Sequence, residues 1–357
     1  SMKKRTVLAA LIIIVSLGIY SQRGDIALRI LPAAMEANLS TNKIEELGDG
    51  LHIGLCGAGG PMPAATRSGP CVVVVAAGKL FMLDAGSNGI RNMGRMGFDI
   101  GQIEGVFLTH FHSDHIDGLG EVATLRWAGG GHNSPLNIYG PEGVADIVSG
   151  FNSAYQRDSV YRNDHHGDAA TPLSGAGMTA VSFPQPENGV LTTVYQQDGL
   201  TVEMLSVNHF PITPAVAYLF TYKGRTALVS GDTNKSANLQ QFAKGIDLLV
   251  HEALSTTMVN AMGSGALASG NLSLAKIFGD IHDYHATPTE AAEIARDAEV
   301  GHLLYYHVVP PLVIPGSEAA WLEGVDDIFQ DYTLGQDGVL FSLPANSTDI
   351  IEVEAKL

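Results

Sequence analysis

The chain has 357 residues, of which 45% are hydrophobic and 16% are charged, so it can bury one large core or two small ones and is not expected to be disordered. Its 37 acidic and 20 basic residues give a formal charge of −17 at pH 7. The resulting field repels phosphate backbones, and a nucleic-acid partner is therefore expected to be unlikely.

Residues 1–22 have the pattern of a secretory signal peptide or a membrane anchor. The basic cluster Lys3–Arg5 precedes the apolar run Val7–Tyr20, as in the basic and hydrophobic regions of an export signal. The run is short for a spanning helix, which needs about 17–25 residues, and no clear small-x-small cleavage site follows it. We expect a periplasmic or secreted protein, with membrane attachment through residues 3–20 as one alternative and a buried N-terminal helix as a weaker one.

Residues 23–44 are interpreted as a linker, and the globular domain is expected over 45–357. Thr289–Ala298 predicts a helix, and a Thr-x-x-Glu pattern that begins at Thr287 resembles a capping box at its start. Two strand-rich halves with helices outside each predict one α+β domain, a four-layer αββα sandwich. Alternating or β-branched runs predict strands at Leu51–Leu55, Cys71–Ala76, Leu80–Leu83, Val106–Leu108, Thr201–Leu205, Ala217–Tyr222, Thr226–Ser230, Leu248–Val250 and Leu303–Tyr306.

Two stretches interrupt this plan. Residues 133–188 are expected to form an insertion with partial structure, and residues 255–283, rich in Gly, Ala, Met and Ser, to form a lid or pocket wall. Cys56 and Cys71 flank one Gly/Pro-rich loop. In an oxidising compartment they could bridge, or they could remain two free core thiols, and the sequence leaves both open.

A histidine-rich segment follows the strand predicted at Val106–Leu108. His110 and His112 are two residues apart, so both imidazoles can point to the same side of the chain. Asp114 and His115 come next, as the chain turns. These imidazole and carboxylate donors suit Zn²⁺, whereas packing alone would not favour four such groups at a strand end. A solvated histidine-rich turn is the weaker alternative.

This His-x-His-x-Asp-His segment resembles the signature of the metallo-β-lactamase superfamily, and later segments match that family in the same order. Asp84, in Phe-Met-Leu-Asp-Ala-Gly, is similar to an early aspartate that supports the histidine loop and is not a ligand. The resemblance implies two metal ions, zinc or else iron or manganese. It assigns His110, His112, His209 and Asp232 to the first metal, and Asp114, His115, Asp232 and His307 to the second.

Within the superfamily the chain looks most like the ribonuclease Z and arylsulfatase branch. The segments His251-Glu252-Ala253 and His285-Ala286-Thr287 resemble paired segments of that branch. The resemblance implies that His285 lies near the scissile group and that Glu252 orients it by a hydrogen bond. Alternatively, His251 and Glu252 simply close a strand.

The expected reaction is hydrolysis of a small anionic ester, a sulfate ester or a phosphodiester, by a hydroxide held between the two metals. Asp114 is expected to accept a hydrogen bond from the nucleophile, and His285 to protonate the leaving oxygen. Arylsulfatase activity is slightly preferred because Leu125–Gly130 also resembles members of that group. The alternatives are a β-lactamase or lactonase, a ribonuclease Z-like nuclease and a non-catalytic zinc-binding protein. A homodimer is expected from the resemblance alone.

Overall fold

The computed structural model describes residues 2–353 and residue 357, and it divides the chain into two compact units, with the boundary between Lys43 and Ile44. The helices occupy Met2–Ser40 (α1), Lys43–Leu47 (α2), Gly89–Arg95 (α3), Ser113–Ile116 (α4), Leu119–Gly130 (α5), Val144–His166 (α6), Ala237–Phe242 (α7), Thr256–Ala268 (α8), Leu272–Asp280 (α9), Pro288–Asp297 (α10) and Ser317–Trp321 (α11).

The helix α1 includes most of the stretch predicted to be a linker. The predicted linker over 23–44 is helical through Ser40, because this stretch is dominated by good helix formers such as Ala, Leu, Met and Glu. None of the helices in the described part of the chain has both the length and the apolar character that a membrane crossing requires. The side chains of residues 2–15, on which the predicted export signal largely depends, lie outside the described part of the structure.

The second unit contains two β-sheets. In the described residues the first has the order β15-β14-β1-β2-β3-β4-β5-β6, and the second has the order β13-β12-β11-β10-β9-β8-β7. The strands are Gly50–Gly57 (β1), Cys71–Ala76 (β2), Lys79–Leu83 (β3), Ile103–Phe107 (β4), Leu136–Pro141 (β5), Met178–Phe183 (β6), Thr192–Gln197 (β7), Leu200–Ser206 (β8), Val216–Tyr222 (β9), Arg225–Val229 (β10), Leu248–Leu254 (β11), His302–Val309 (β12), Tyr332–Leu334 (β13), Leu340–Pro344 (β14) and Ile351–Val353 (β15).

Four layers result from burial on both faces of each sheet. In β2, Val72 and Val74 face the core between the sheets, while Val73 and Val75 face a second core that includes side chains of α3, α5 and α6. This explains why β2 is an unbroken run of valines instead of an alternating strand. A third core joins the other face of the second sheet to α7, α10 and α11. The predicted αββα sandwich is confirmed.

The stretch 133–188 was wrongly predicted to be an insertion. It contains β5, which pairs in parallel with β4, and β6, which pairs in parallel with β5, so it completes the first sheet. The long helix α6 lies between them, and its buried residues are Val144 and Val148 near its start. A helix that is polar over most of its length gives little periodic signal in the sequence.

Two local predictions are settled. Thr287 caps α10: its hydroxyl accepts the Glu290 amide at 3.2 Å, and the Glu290 carboxylate accepts the Thr287 amide at 2.8 Å, which confirms the capping box. Cys56 and Cys71 form a disulfide with a Cα–Cα separation of 5.0 Å. The bridge joins the end of β1 to the start of β2.

Candidate metal centre

The predicted site residues converge where strands of both sheets end. Asp84 follows β3 directly, the histidine segment follows β4, and Asp232 follows β10. His209 lies in the loop between β8 and β9. His307 lies within β12 at a shift in its register with β11 and has a φ of 45°. A bulge of this kind redirects a side chain, which is how a residue inside a strand joins residues that follow other strands.

Four side chains form a first group, with ligand atoms that all lie within 4.8 Å of one another. The His112 Nδ1 lies 3.0 Å from the His110 Nε2 and 3.4 Å from the His209 Nε2. The Asp232 Oδ2 lies 3.8 Å from each of those two Nε2 atoms. Three imidazole nitrogens and one carboxylate oxygen that face a common point are a donor set for a transition metal such as zinc.

A second group, Asp114, His115 and His307, also lies beside Asp232. The His307 Nε2 lies 3.4 Å from the Asp114 Oδ2 and 3.4 Å from the Asp232 Oδ2. The His115 Nε2 lies 3.3 Å from the Asp232 Oδ1. Asp232 therefore faces both groups and is placed to bridge two ions.

Two observations show that these residues fit metal ions. The His115 Nε2 and the Asp232 Oδ1 are buried and have no hydrogen-bond partner among the described residues. The opposite nitrogen of two histidines is fixed: the His115 Nδ1 lies 2.8 Å from the Asp84 Oδ2, and the His209 Nδ1 lies 2.8 Å from the Tyr284 carbonyl oxygen. Metal-binding histidines are typically held in this way. Asp84 also accepts bonds from the amide and hydroxyl of Thr109.

The electrostatics of the site also favour a cation. Burial holds the pKa of His110 well below its ordinary value, and the neighbouring His115 adds to the shift. Burial alone would raise the pKa of Asp232, but the His307 and His115 imidazoles hold it well below its usual range. Burial would likewise lower the pKa of His115, but the Asp232 and Asp84 carboxylates raise it well above its ordinary value. Ionised aspartate and neutral histidine are the forms that bind metal. The raised pKa of His115 shows that the carboxylates beside it favour positive charge, which a bound metal ion would supply in place of the proton.

His285 lies beside this centre and is held by Glu252. The His285 Nδ1 is 3.0 Å from the Glu252 Oε1, which also accepts the backbone amide of Thr233 at 3.0 Å. Glu252 is fully buried, and His251 turns its Nδ1 to the Glu252 carbonyl oxygen at 2.7 Å. Glu252 therefore does more than close a strand. Ligand atoms of His285, Asp232 and His307 also lie within 4.8 Å of one another. This distance is compatible with two roles for His285: a metal ligand, or a group that contacts the substrate.

A pocket of about 390 Å³ opens onto the centre. His285, Tyr284, Asp114 and Ser113 line its polar side, and the other wall includes apolar side chains of α9. The pocket wall predicted for 255–283 is thereby confirmed. Sequence reasoning missed the carbonyl of Tyr284, since a backbone contact leaves no residue-type signal, although its place next to His285 was a hint.

The chain matches a known family over most of this domain. Residues 82–308 match the family described as Beta-lactamase superfamily domain. Ribonuclease Z of Mycolicibacterium gilvum (strain PYR-GCK) is 33% identical over 273 residues, which cover 76% of this chain and 88% of the relative. Ribonuclease Z of Mycobacterium avium (strain 104) is 32% identical and is covered to 90%.

Solved structures share the fold. Human tRNase Z, short form, superposes with a TM-score of 0.59 at 18% identity, over 82% of this chain and 99% of that one. The metallo-β-lactamase-fold protein YhfI from Bacillus subtilis gives 0.58 at 18% identity, over 82% and 100%. With the site geometry and the ribonuclease Z relatives, these matches show that the chain is a hydrolase of the metallo-β-lactamase superfamily and belongs to its ribonuclease Z branch.

Proposed function

We propose that the protein is a metal-dependent phosphodiesterase. The observation on which this depends is the pair of donor groups that share Asp232, with His285 and Glu252 beside them and an open pocket above. The relatives named ribonuclease Z support a phosphodiester over a sulfate ester. Arylsulfatase activity, which the sequence slightly favoured, stays a prediction without support from these relatives.

Two ions, with zinc as the first expectation and iron or manganese as alternatives, would be held by the seven side chains predicted from the sequence. When bound, such ions supply a water-derived nucleophile near neutral pH and neutralise charge on the non-bridging oxygens of the ester. The first ion would be held by His110, His112, His209 and Asp232, and the second by Asp114, His115, Asp232 and His307.

The chain's own groups orient the reaction. Asp114, whose carboxylate lines the pocket, accepts a hydrogen bond from the attacking water and fixes its direction. As the new phosphorus–oxygen bond forms and the old one breaks, His285 gives a proton to the leaving oxygen. Glu252 is a positioning residue: it is buried, contacts no substrate and holds the His285 ring through Nδ1.

RNA is the second candidate substrate, because the relatives carry the name ribonuclease Z. The formal charge of −17 opposes binding of a polyanion. This opposition is not decisive, since metal ions held at the centre would attract a phosphate locally. The relatives also weaken the expectation that nucleic acid is an unlikely partner. β-Lactamase or lactonase activity and a homodimer stay predictions.

We further propose that the protein is exported. Two observations support this: the basic cluster followed by an apolar run in residues 3–20, and the pairing of Cys56 with Cys71. Disulfides persist mainly in oxidising compartments such as the periplasm. Fractionation of the native host, with an antibody to the domain, would test it, and recovery of the protein in the cytosol alone would contradict it.

Turnover of four substrates by zinc-loaded protein tests the proposed activity: bis(4-nitrophenyl) phosphate, 4-nitrophenyl sulfate, a chromogenic cephalosporin and a precursor transfer RNA. We expect the phosphodiester to have the highest kcat/KM of the three small substrates, and Asp232→Asn to abolish its turnover. Faster turnover of the sulfate or the cephalosporin would overturn the proposal. Cleavage of the RNA with no turnover of the small diester would establish the second candidate.

A further inference from the structure

A second pocket, of about 720 Å³, adjoins the catalytic one. Met62, Leu274 and Phe278 line both pockets, so the two adjoin at these side chains. We call the second pocket the apolar arm. Its other walls come from α8, through residues such as Met258 and Met262, and from the segment between β12 and α11.

The side chains that line the apolar arm offer very little to a polar ligand. No charged side chain lines it, and among the described residues Ser317 provides its one polar side chain. The Ser317 hydroxyl donates to the Ile314 carbonyl at 2.7 Å, so its proton is already used. A ribose hydroxyl, a base edge or a second phosphate placed here would lose its hydrogen bonds to water without replacement.

The rim of the apolar arm leaves large apolar side chains in water. Val313 is 73% exposed, Ile314 is 67% exposed and Met262 is 37% exposed. Exposed apolar side chains clustered around a concave surface indicate that a ligand covers them.

The apolar arm is also fixed relative to the metal centre. Val259 and Ala266 of α8 and Phe278 of α9 form a small buried core with Leu254 and Val309. Val309 ends the strand that carries His307, and Leu254 ends the strand that carries Glu252. The walls of the arm thus pack on the same two strands that position catalytic groups, which presets the distance between the two pockets.

We propose that the apolar arm binds the hydrocarbon chain of an amphiphilic phosphate ester whose phosphate group lies at the metal centre. This inference rests on the proposed phosphodiesterase function and names its substrate class: an ester with one polar phosphate and one flexible apolar chain. Because the two pockets adjoin at shared side chains, a molecule that carries both parts would occupy both pockets. RNA does not carry both parts, because charged or polar groups flank each of its phosphates.

Competition by a series of alkyl phosphates tests the inference. Ethyl, butyl, hexyl and octyl phosphate, each below its micelle concentration, are titrated against turnover of bis(4-nitrophenyl) phosphate by the full chain loaded with zinc. Each buried methylene should lower the inhibition constant by about two- to fourfold. Octyl phosphate has six more methylenes than ethyl phosphate, so it should inhibit at least ~60-fold more tightly. The same series is measured by calorimetry, which reports binding without catalysis.

Matched variants localise the effect. Met262→Asp places a charge in the apolar arm and should flatten the dependence on chain length. Leu267→Asp adds the same charge to the same helix, at a side chain that is 60% exposed and outside the lining. This control should retain the dependence of inhibition on chain length. Ala320→Phe fills part of the arm without adding charge. In this variant the inhibition constant should stop falling at a shorter alkyl chain than in the wild type.

Inhibition constants that agree within about threefold across the series, or equal behaviour of Met262→Asp and Leu267→Asp, would overturn the inference while leaving phosphodiester turnover intact. Stronger competition by a single-stranded oligoribonucleotide than by octyl phosphate would replace the amphiphile with RNA. Failure of the phosphodiesterase proposal is recognised separately, as absence of turnover in protein that calorimetry shows to bind the series.

Discussion

At the scale of single residues, Asp232 faces both donor groups and should therefore contribute most to metal binding. Its Oδ2 lies 3.4 Å from the His307 Nε2, and its Oδ1 lies 3.3 Å from the His115 Nε2. We expect wild-type protein prepared without chelator to hold close to two transition-metal ions per chain. Asp232→Ala should lose most of both, whereas His307→Ala should keep about one, as measured by elemental analysis.

The control for that prediction is His302→Ala. His302 lies in the same strand as His307 but bonds to Thr333 at 3.0 Å, away from the centre, so its loss should leave the metal content unchanged. One tightly bound ion in the wild type, with no activation by added zinc, would contradict a two-metal site.

His285 gives a second prediction, which separates a proton donor from a metal ligand. His285→Ala should retain both ions and lower kcat by about 10²–10⁴-fold on esters with poor leaving groups. The loss should shrink for nitrophenyl esters, since a nitrophenolate needs little protonation. Glu252→Gln should give a smaller loss of kcat with little change in KM, because the ring remains but its orientation is weakened. Loss of an ion from His285→Ala would instead make His285 a ligand, which its distance from Asp232 and His307 allows.

The sequence predicted the site residues better than their surroundings. His110, His112, Asp114 and His115 are neighbours in the chain, and their spacing is itself the signal. The distant residues were placed only through the family resemblance. The bulge that turns His307 into the site and the backbone carbonyl that holds His209 depend on tertiary packing, which no local pattern records.

At the scale of elements, strands buried on both faces were predictable and polar helices were not. The valine run of β2 gave its bounds correctly, Cys71–Ala76. The helix α6 and the strands β5 and β6 on either side of it were taken for an insertion, because α6 buries few residues along its length. A continuous apolar segment in the sequence indicates a buried element directly. A polar surface helix between two strands gives no such pattern and is recognised only after the pairing of the strands is known.

Arg225 provides a prediction about how β10 and β11 are joined. Its guanidinium, in a residue that is 2% exposed, makes a two-pronged ion pair with Asp247 at 2.8 and 3.2 Å. It also donates to the carbonyls of Pro344 and Ser347. Arg225→Ala leaves a largely buried carboxylate without its partner, so we expect the free energy of unfolding to fall by about 2–4 kcal/mol in urea denaturation.

The exposed pair of Lys223 and Asp49 serves as the comparison. Their side chains are 47% and 51% exposed, and water screens such a pair, so Lys223→Ala should lower the free energy of unfolding far less than Arg225→Ala does. Equal effects of the two substitutions would show that burial of Arg225 adds nothing to the stability of the sandwich.

At the scale of the whole molecule, the net negative charge and the metal centre have opposite effects on the binding of an anionic substrate. The chain has a formal charge of −17, yet its centre has the donor groups for cations, and the proposed function places an anionic ester there. The negative net charge therefore repels a polyanion at long range, while a small ester is affected mainly by the local field within about 8 Å at physiological salt.

The rate of RNA cleavage, if present, should rise steeply with added salt up to moderate ionic strength, because salt screens this repulsion. Turnover of a small diester should change little. Stopped-time assays at 50 and 300 mM salt are sufficient to compare them.

The last prediction concerns the division of the chain at Lys43 and Ile44. Ile44 is 8% exposed and belongs to the core that β2 shares with α3, α5 and α6, so the domain needs residues from that point onward. Every donor of the metal centre and every residue that lines the apolar arm lies within 44–357. A protein that starts at Ile44 should therefore fold, bind the same number of ions and hydrolyse bis(4-nitrophenyl) phosphate with the kcat/KM of the full chain.

A protein that starts at Leu51 lacks Ile44 and the first residue of β1. Its thermal midpoint should be lower by several degrees, as expected for the loss of about 1–2 kcal/mol of buried apolar contact. Insoluble or metal-free protein from the Ile44 start would show that the preceding residues are needed to complete the fold.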